Sequence, residues 1–190
     1  IISDEIKTLQ TEVQHEPVMA LDGGTDGYDF YRAIIKHWSK KLKENGLLVF
    51  ELGEGQYDTV KELMQEIDLV LLDVKQINPE RHLNLTERSN EQTLKTAQWL
   101  EDNSKPFWLR YVLVPGISDF EEDIRALGEH FRNFKMLQRV EVLPYHTLGI
   151  HKYETMGQEY KLKDTKTNTP EQLDRAMAIF NEYFDCAVLN

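Results

Sequence analysis

Two charged residues lie two positions apart at the end of an apolar segment. Asp73 and Lys75 close the stretch DLVLLDVK, residues 68–75, which has the composition of a buried β-strand. Side chains at positions i and i+2 of a strand project to the same side. A carboxylate and an ammonium placed in this way can bind a zwitterionic or ribose-bearing ligand. They can equally form an ion pair at the end of a sheet, and the spacing alone leaves both interpretations open.

A histidine follows another apolar stretch. His146 comes after Val140–Leu143 through Pro144 and Tyr145. A histidine just past a strand can donate a hydrogen bond to a ligand, ligate a metal or exchange a proton. It can also do no more than cap the loop. The six histidines do not include the i, i+4 helical pair of zinc proteases, so their spacing does not predict a zinc site.

One arginine lies inside a strongly apolar stretch. Arg110 belongs to FWLRYVLV, residues 107–114, and it is in phase with Trp108 and Val112. A charge inside an apolar strand needs either water or an opposite charge. One interpretation is therefore that this side of the sheet is the open, polar lumen of a half-barrel. The other is a salt bridge to an acidic residue on a neighbouring strand.

The elements that position these residues alternate along the chain. The pattern predicts helices that begin at three capping boxes, formed by Ser89 with Gln92, Ser118 with Glu121, and Thr169 with Gln172. The remaining predicted helices cover residues 3–13, 28–42 and 57–66, and the predicted strands cover 47–51, 68–75, 107–114 and 139–143. This alternation predicts an α/β fold with a mostly parallel sheet of about four strands covered by helices. Either a partial (β/α) barrel or a Rossmann-like hybrid fits, and both bind ligands at the carboxyl ends of their strands.

Composition excludes several classes of protein. The net charge is -11 and no basic patch stands out, which argues against nucleic acid and anionic membranes as partners. No apolar run approaches the roughly 20 residues of a membrane-spanning helix. The single cysteine, Cys186, has the place of a small apolar filler and predicts a reducing, cytoplasmic location. One thiol cannot hold an iron–sulfur cluster. The glycine-rich stretch 21–27 lacks both common phosphate-binding motifs and predicts a turn before a helix.

Residues 68–190 resemble the C-terminal part of pyruvate formate-lyase activating enzymes, which belong to the radical S-adenosylmethionine superfamily. The resemblance is carried by DLVLLDVKQIN, SNEQTLKTAQWL, FWLRYVLVPGISD and RVEVLPYHTLGIHKYETMGQEYKL. It implies that Asp73 helps to form a monovalent-cation site beside the cofactor. It also implies that Lys75 and His146 contact S-adenosylmethionine and that Arg110 faces the substrate lumen. The three-cysteine cluster motif of that family, C-x3-C-x2-C, is absent from these 190 residues.

Residues 1–66 resemble another family, the N5-glutamine methyltransferases of peptide chain release factors. The similar stretches are EIKTLQTEV, HEPVMALDGGTDGYDFYRAI and GLLVFELGEGQ. The catalytic Asn-Pro-Pro-Tyr motif of that family would stand immediately before Ile1 and is absent. The resemblance implies a methyltransferase-like βα fragment without its catalytic motif.

Together the two resemblances predict a chimera without native catalysis, joined near Gln65–Asp68. Its parts would be residues 1–66 and 67–190, packed as one joint domain. We expect no bound cofactor and no iron–sulfur cluster, and weak S-adenosylmethionine binding at most. Two alternatives are a residual S-adenosylmethionine-binding module, and a radical activase or methyltransferase that needs missing parts. Sheets cut from larger ones expose strand edges, which predicts a homo-oligomer or swapped dimer.

Overall fold

The computed structural model describes residues 2–8, 17–44, 46, 48, 68–148, 150, 153, 157 and 159–190. The chain divides into two compact units, Ile1–Glu66 and Ile67–Asn190. The predicted helix 57–66 lies outside the described residues, and so does the predicted strand 47–51 apart from residue 48.

The described elements of the first unit are short helices joined by turns. It contains a 3₁₀ helix at Ser3–Thr8, α1 at Val18–Leu21, α2 at Asp29–Trp38 and a 3₁₀ turn at Ser39–Lys41. Before α2 the chain makes a tight turn, in which the Asp29 amide donates to the Gly23 carbonyl at 2.8 Å. Gly24 has a φ of 88°, a backbone conformation that favours glycine. The prediction that the glycine-rich stretch forms a turn before a helix is therefore confirmed.

The second unit is a four-stranded, wholly parallel sheet with helices between its strands. The strands are β1 (Val70–Asp73), β2 (Phe107–Leu113), β3 (Leu137–Pro144) and β4 (Ala187–Leu189). The helices are α3 (Pro79–Thr86), α4 (Glu91–Asp102), α5 (Glu121–Phe131) and α6 (Pro170–Tyr183). The strand order is β1-β2-β3-β4 with no reversal, which is the order of a partial barrel and not of a Rossmann sheet. The predicted α/β fold is confirmed.

Strict alternation along β2 separates a packed face from an open face. Leu109, Tyr111 and Leu113 are 0% exposed. On their side, the sheet packs against the apolar residues of α5 and α6. Burial of one large apolar side chain contributes about 1.5–3 kcal/mol, so this layer dominates the stability of the unit. Arg110 and its neighbours in phase are partly exposed on the other side. The open face is defined here by the residues Leu71, Asp73, Lys75, Trp108, Arg110, Val112, Arg139 and Glu141.

Only one of the three predicted capping boxes forms. Thr169 accepts from the Gln172 amide, and the Gln172 side chain accepts from the Thr169 amide, as a capping box requires. Ser118 instead accepts from the Val114 amide at 2.8 Å, so α5 begins without it. At the start of α4, Ser89 accepts only from the Glu91 amide. The helix α3 and the strand β4 were not predicted, although Asn78 followed by a proline is a recognisable helix start.

Candidate functional site

The carboxyl end of β1 carries an ion pair on the open face. Lys75 Nζ lies 2.7 Å from Asp73 Oδ2, and the two side chains are 45% and 38% exposed. The i, i+2 spacing produces this contact because both side chains leave the strand on one side. The predicted ion pair is therefore present in the structure. Both side chains are partly exposed, so a ligand can still reach them.

The same carboxylate faces an arginine on the next strand. In the parallel register Asp73 is paired with Arg110, and Arg110 is paired with Glu141 of β3. Arg110 Nη1 lies 3.5 Å from Asp73 Oδ1, and Arg110 Nε lies 3.9 Å from Glu141 Oε2. These distances are electrostatic contacts longer than good hydrogen bonds. The salt-bridge interpretation of Arg110 is therefore confirmed. Arg110 also lies on the open face, and its place in a substrate lumen stays a prediction.

An aromatic ring and a second cation extend this row of charges. The Arg139 guanidinium lies over the Trp108 ring at 4.7 Å from its centroid. Arg139 Nε is 3.3 Å from Glu141 Oε1, and Glu141 is only 6% exposed. A buried carboxylate requires such partners, because desolvation without them is costly. The open face is consequently polar and charged along its centre.

His146 lies two residues beyond the end of β3 and is exposed. Within the described residues, no hydrogen bond or ion pair joins it to Asp73 or Lys75. The residue before it is firmly held: Tyr145 is 6% exposed, and its amide donates to Asn168 Oδ1 at 2.9 Å. The Tyr145 hydroxyl also hydrogen-bonds the Tyr160 hydroxyl at 2.7 Å. The pKa of Tyr160 is raised to about 12, mainly by burial and to a smaller extent by this hydrogen bond.

A buried polar network lies directly behind the ion pair and was not predicted. Gln76 is 0% exposed, and its side-chain amide donates to Asp123 Oδ2 at 2.8 Å. Arg81 Nη1 donates to the same oxygen at 2.5 Å. Asp123 belongs to α5 and is 3% exposed. The sequence signal for Asp123 is that a charged residue lies on the otherwise apolar side of an amphipathic helix.

Cys186 lies in the turn between α6 and β4, and its carbonyl accepts from the Val140 amide at 3.2 Å. Burial raises the pKa of its thiol. In the described part of the chain, no three histidine, cysteine, aspartate or glutamate residues are grouped so that they could hold a metal ion. Across the same residues no helix is long and apolar enough to cross a membrane.

Comparisons with known proteins point to activating enzymes of one kind. The pyruvate formate-lyase 1-activating enzyme of Escherichia coli K12 is 39% identical over 153 residues, which cover 78% of this chain and 62% of that protein. The pyruvate formate-lyase-activating enzyme of Streptococcus mutans is 44% identical over 134 residues, which cover 70% and 51%. No protein-family model matches the chain. About three quarters of the chain is thus homologous to pyruvate formate-lyase activating enzymes, and it spans about half to three fifths of their length.

A solved structure shows the same fold. The crystal structure of a domain of pyruvate-formate lyase-activating enzyme from Bacteroides vulgatus superposes with a TM-score of 0.64 and 20% identity. The superposition covers 85% of this chain and 90% of that one. The partial-barrel interpretation of the parallel sheet is therefore supported by an experimental structure.

These findings overturn the interpretation of the chain as a chimera without catalysis. A match covering 78% of 190 residues includes about 148 of them, whereas residues 68–190 number only about 123. The homology to activating enzymes therefore extends across the expected junction near Gln65–Asp68. The resemblance of residues 1–66 to glutamine methyltransferases gains no support from the comparisons.

The expectation of no iron–sulfur cluster is also wrong. The chain is homologous to activating enzymes, and its resemblance to that radical family implies both a cluster and S-adenosylmethionine. The expectation rested on counting thiols in a chain that spans only 62% of the length of its Escherichia coli relative. The described residues hold one thiol, so they do not themselves fit a three-thiolate cluster.

Proposed function

We propose that the second unit is the cofactor- and substrate-facing part of a radical S-adenosylmethionine activating enzyme that acts on pyruvate formate-lyase or a similar protein. The observation that carries the proposal is the exposed Asp73–Lys75 pair, 2.7 Å apart, at the carboxyl end of β1. The chain that carries this pair is 39% identical, over 153 residues, to an activating enzyme.

The residues at this end of the sheet suit the chemical groups of S-adenosylmethionine. The ammonium of Lys75 complements the carboxylate of its methionyl part, and Asp73 complements either the amino group or a monovalent cation beside it. His146, exposed just past β3, is assigned to the adenosyl part. Held by Lys75, Asp73 and His146, and given one electron by a donor outside the described residues, S-adenosylmethionine would supply a carbon-centred radical able to remove a hydrogen atom from the substrate protein.

The role of the chain's own residues is to bind and orient the ligand. Lys75 is already paired with Asp73, so ligand binding exchanges one carboxylate partner of the ammonium for another. This exchange costs little because both side chains are about 40% exposed and solvent screens their attraction. Arg110 is assigned to the substrate-facing side, because its side chain is 38% exposed and lies on the open face.

The partner and the location are part of the same proposal. The substrate would be another protein, and neither nucleic acid nor membrane is required. The free Cys186 suits a reducing compartment, for which we propose the cytoplasm.

Calorimetric titration of the 190-residue chain with S-adenosylmethionine tests the proposal. We expect saturable binding that Lys75→Ala or His146→Ala weakens about tenfold each, the scale of one charged contact. Lys166→Ala and His37→Ala remove exposed residues elsewhere and serve as matched controls. Circular dichroism verifies that each variant is folded. If the folded parent chain shows no saturable binding, or if the control variants weaken it equally, the proposal is wrong.

A further inference from the structure

The residue directly after Lys75 is more completely fixed than any of the residues assigned to the ligand. Gln76 is 0% exposed, although glutamine is usually a surface residue. Each polar atom of its side chain has a partner. Its amide nitrogen donates to Asp123 Oδ2 at 2.8 Å and to the Ile117 carbonyl at 3.1 Å. Its amide oxygen accepts from the Asn78 backbone at 3.1 Å.

The backbone around Gln76 is held as well. The side-chain amide of Asn90 donates to the Gln76 carbonyl at 3.2 Å and to the Ile77 carbonyl at 2.7 Å. Asn90 is itself 5% exposed and lies at the start of α4. The short segment after β1 is therefore tied to α4 through Asn90.

Asp123 ties the same segment to α5. Its carboxylate is 3% exposed and also accepts from Arg81 Nη1 at 2.5 Å, while Arg81 Nη2 donates to Glu122 Oε1 at 3.0 Å. The Arg81 guanidinium lies over the Phe120 ring at 4.0 Å from its centroid. A buried network in which every member is satisfied is rigid, because any displacement leaves an unpaired polar group.

We propose that Gln76 is a positioning residue for Lys75. Side chains alternate along the strand end, so Gln76 points into the packed layer while Lys75 points to the open face. Because Gln76 and Lys75 are adjacent, the hydrogen bonds that hold Gln76 also hold the backbone to which the Lys75 side chain is attached. The network thus orients the ammonium towards Asp73 and towards the carboxylate of the ligand. This inference rests on the function proposed above.

The variant Gln76→Glu tests the inference with almost no change in shape. It places a second carboxylate against Asp123 and removes the donor to Ile117, which displaces the segment. The double variant Gln76→Glu/Asp123→Asn removes the repulsion between the two carboxylates and lets an amide at position 123 donate to the carboxylate at position 76, while the Ile117 carbonyl still lacks its donor. Gln138→Glu, an exposed position on β3, makes the same change of charge as a control. Asn90→Ala loosens the same segment and replaces Gln76→Glu if that variant does not fold.

Two measurements separate positioning from stability. Affinity for S-adenosylmethionine, measured by calorimetry, is expected to fall about tenfold in Gln76→Glu and to recover in part in the double variant. The rate at which an amine-acylating reagent modifies Lys75, followed by mass spectrometry, is expected to rise about threefold as its pairing with Asp73 loosens. Gln138→Glu should change neither quantity.

The outcomes distinguish this inference from the proposed function. If Gln76→Glu unfolds at lower urea but keeps both the parent affinity and the parent acylation rate, Gln76 is only structural and the inference is wrong. If the parent chain does not bind S-adenosylmethionine, the proposed function fails, and the acylation rates alone decide whether Gln76 positions Lys75. Failure of the double variant to restore part of a lost affinity also contradicts the inference.

Discussion

Arg110 on β2 is the register partner of Asp73 on β1, and their charged groups approach to 3.5 Å on the open face of the sheet. Glu141 lies on the other side of Arg110, so the cation stands between two carboxylates. Asp73 is therefore shared between Lys75, which lies just past β1, and Arg110 on β2, and its position depends on both.

The Arg110→Leu variant should destabilise the chain by about 1–2 kcal/mol. The cost arises because Glu141 is almost buried and, among the described residues, keeps Arg139 as its one nearby cation. Solvent screens part of the loss at Asp73. Urea denaturation provides the measurement, and Arg175→Leu, at an exposed position on α6, is the control. Adding Glu141→Leu should recover part of the loss, and strict additivity of the two effects would contradict the account.

Tyr160→Phe should cost about 0.5–1.5 kcal/mol, the net value of one hydrogen bond, because it removes the contact with the Tyr145 hydroxyl. It should also change the dependence of stability on alkaline pH. The pKa of Tyr160 is raised in the folded chain to about 12, from the ordinary value of 10.0. Its contribution is therefore complete below pH 10 and is lost as the pH rises towards 12.

The measurement for Tyr160 is the free energy of unfolding of parent and variant at several pH values between 8 and 12. The difference between the two proteins should shrink as the pH rises through that window. Tyr183→Phe provides a control tyrosine on α6. A difference that is constant with pH would show that Tyr160 has the same pKa in both states.

Cys186 should react slowly with thiol reagents. Burial raises its pKa, so less of it is thiolate at neutral pH than of an ordinary cysteine. Modification by iodoacetamide at pH 7.5 should be severalfold slower than that of glutathione, and it should accelerate when urea unfolds the chain. A rate equal to that of glutathione in the native chain would contradict the burial of this thiol.

We predict that the chain self-associates. Within the described residues β1 pairs only with β2 and β4 only with β3, so each has an edge with unpaired backbone groups. Size-exclusion chromatography with light scattering should give a mass above 22.3 kDa that rises with concentration. A monomeric mass at every concentration would contradict this prediction.

Local patterns predicted the parts of the structure that depend on local physics. The alternation of residues 107–113 identified Arg110 as a charge on the opposite side from Leu109 and Tyr111, and the structure confirms it. The box at Thr169 formed as the local pattern predicts, with the Thr169 hydroxyl accepting from the Gln172 amide. Ser118 also lies three residues before a glutamate, but its hydroxyl donates to the Val112 carbonyl, and this longer-range bond displaced the cap.

The remaining features depend on contacts that are distant in sequence. Gln76 and Asp123 are 47 positions apart, and no periodicity links a strand end to the buried side of a later helix. The strand β4 has three residues, which is too short for an alternating pattern to stand out. The chimera interpretation failed for another reason: it counted absent motifs in a chain that spans only 62% of the length of the relative it matches.

Site-resolved titration by NMR tests the central claim most directly. In a labelled chain, addition of S-adenosylmethionine should shift the signals of Asp73, Lys75 and His146 along one saturable curve, while Arg175 on α6 stays unchanged. The same titration with methionine alone should move Lys75 but not His146. If no signal saturates in the folded chain, or if the saturable shifts lie away from the carboxyl ends of β1 and β3, the assignment of this edge as the cofactor site is wrong.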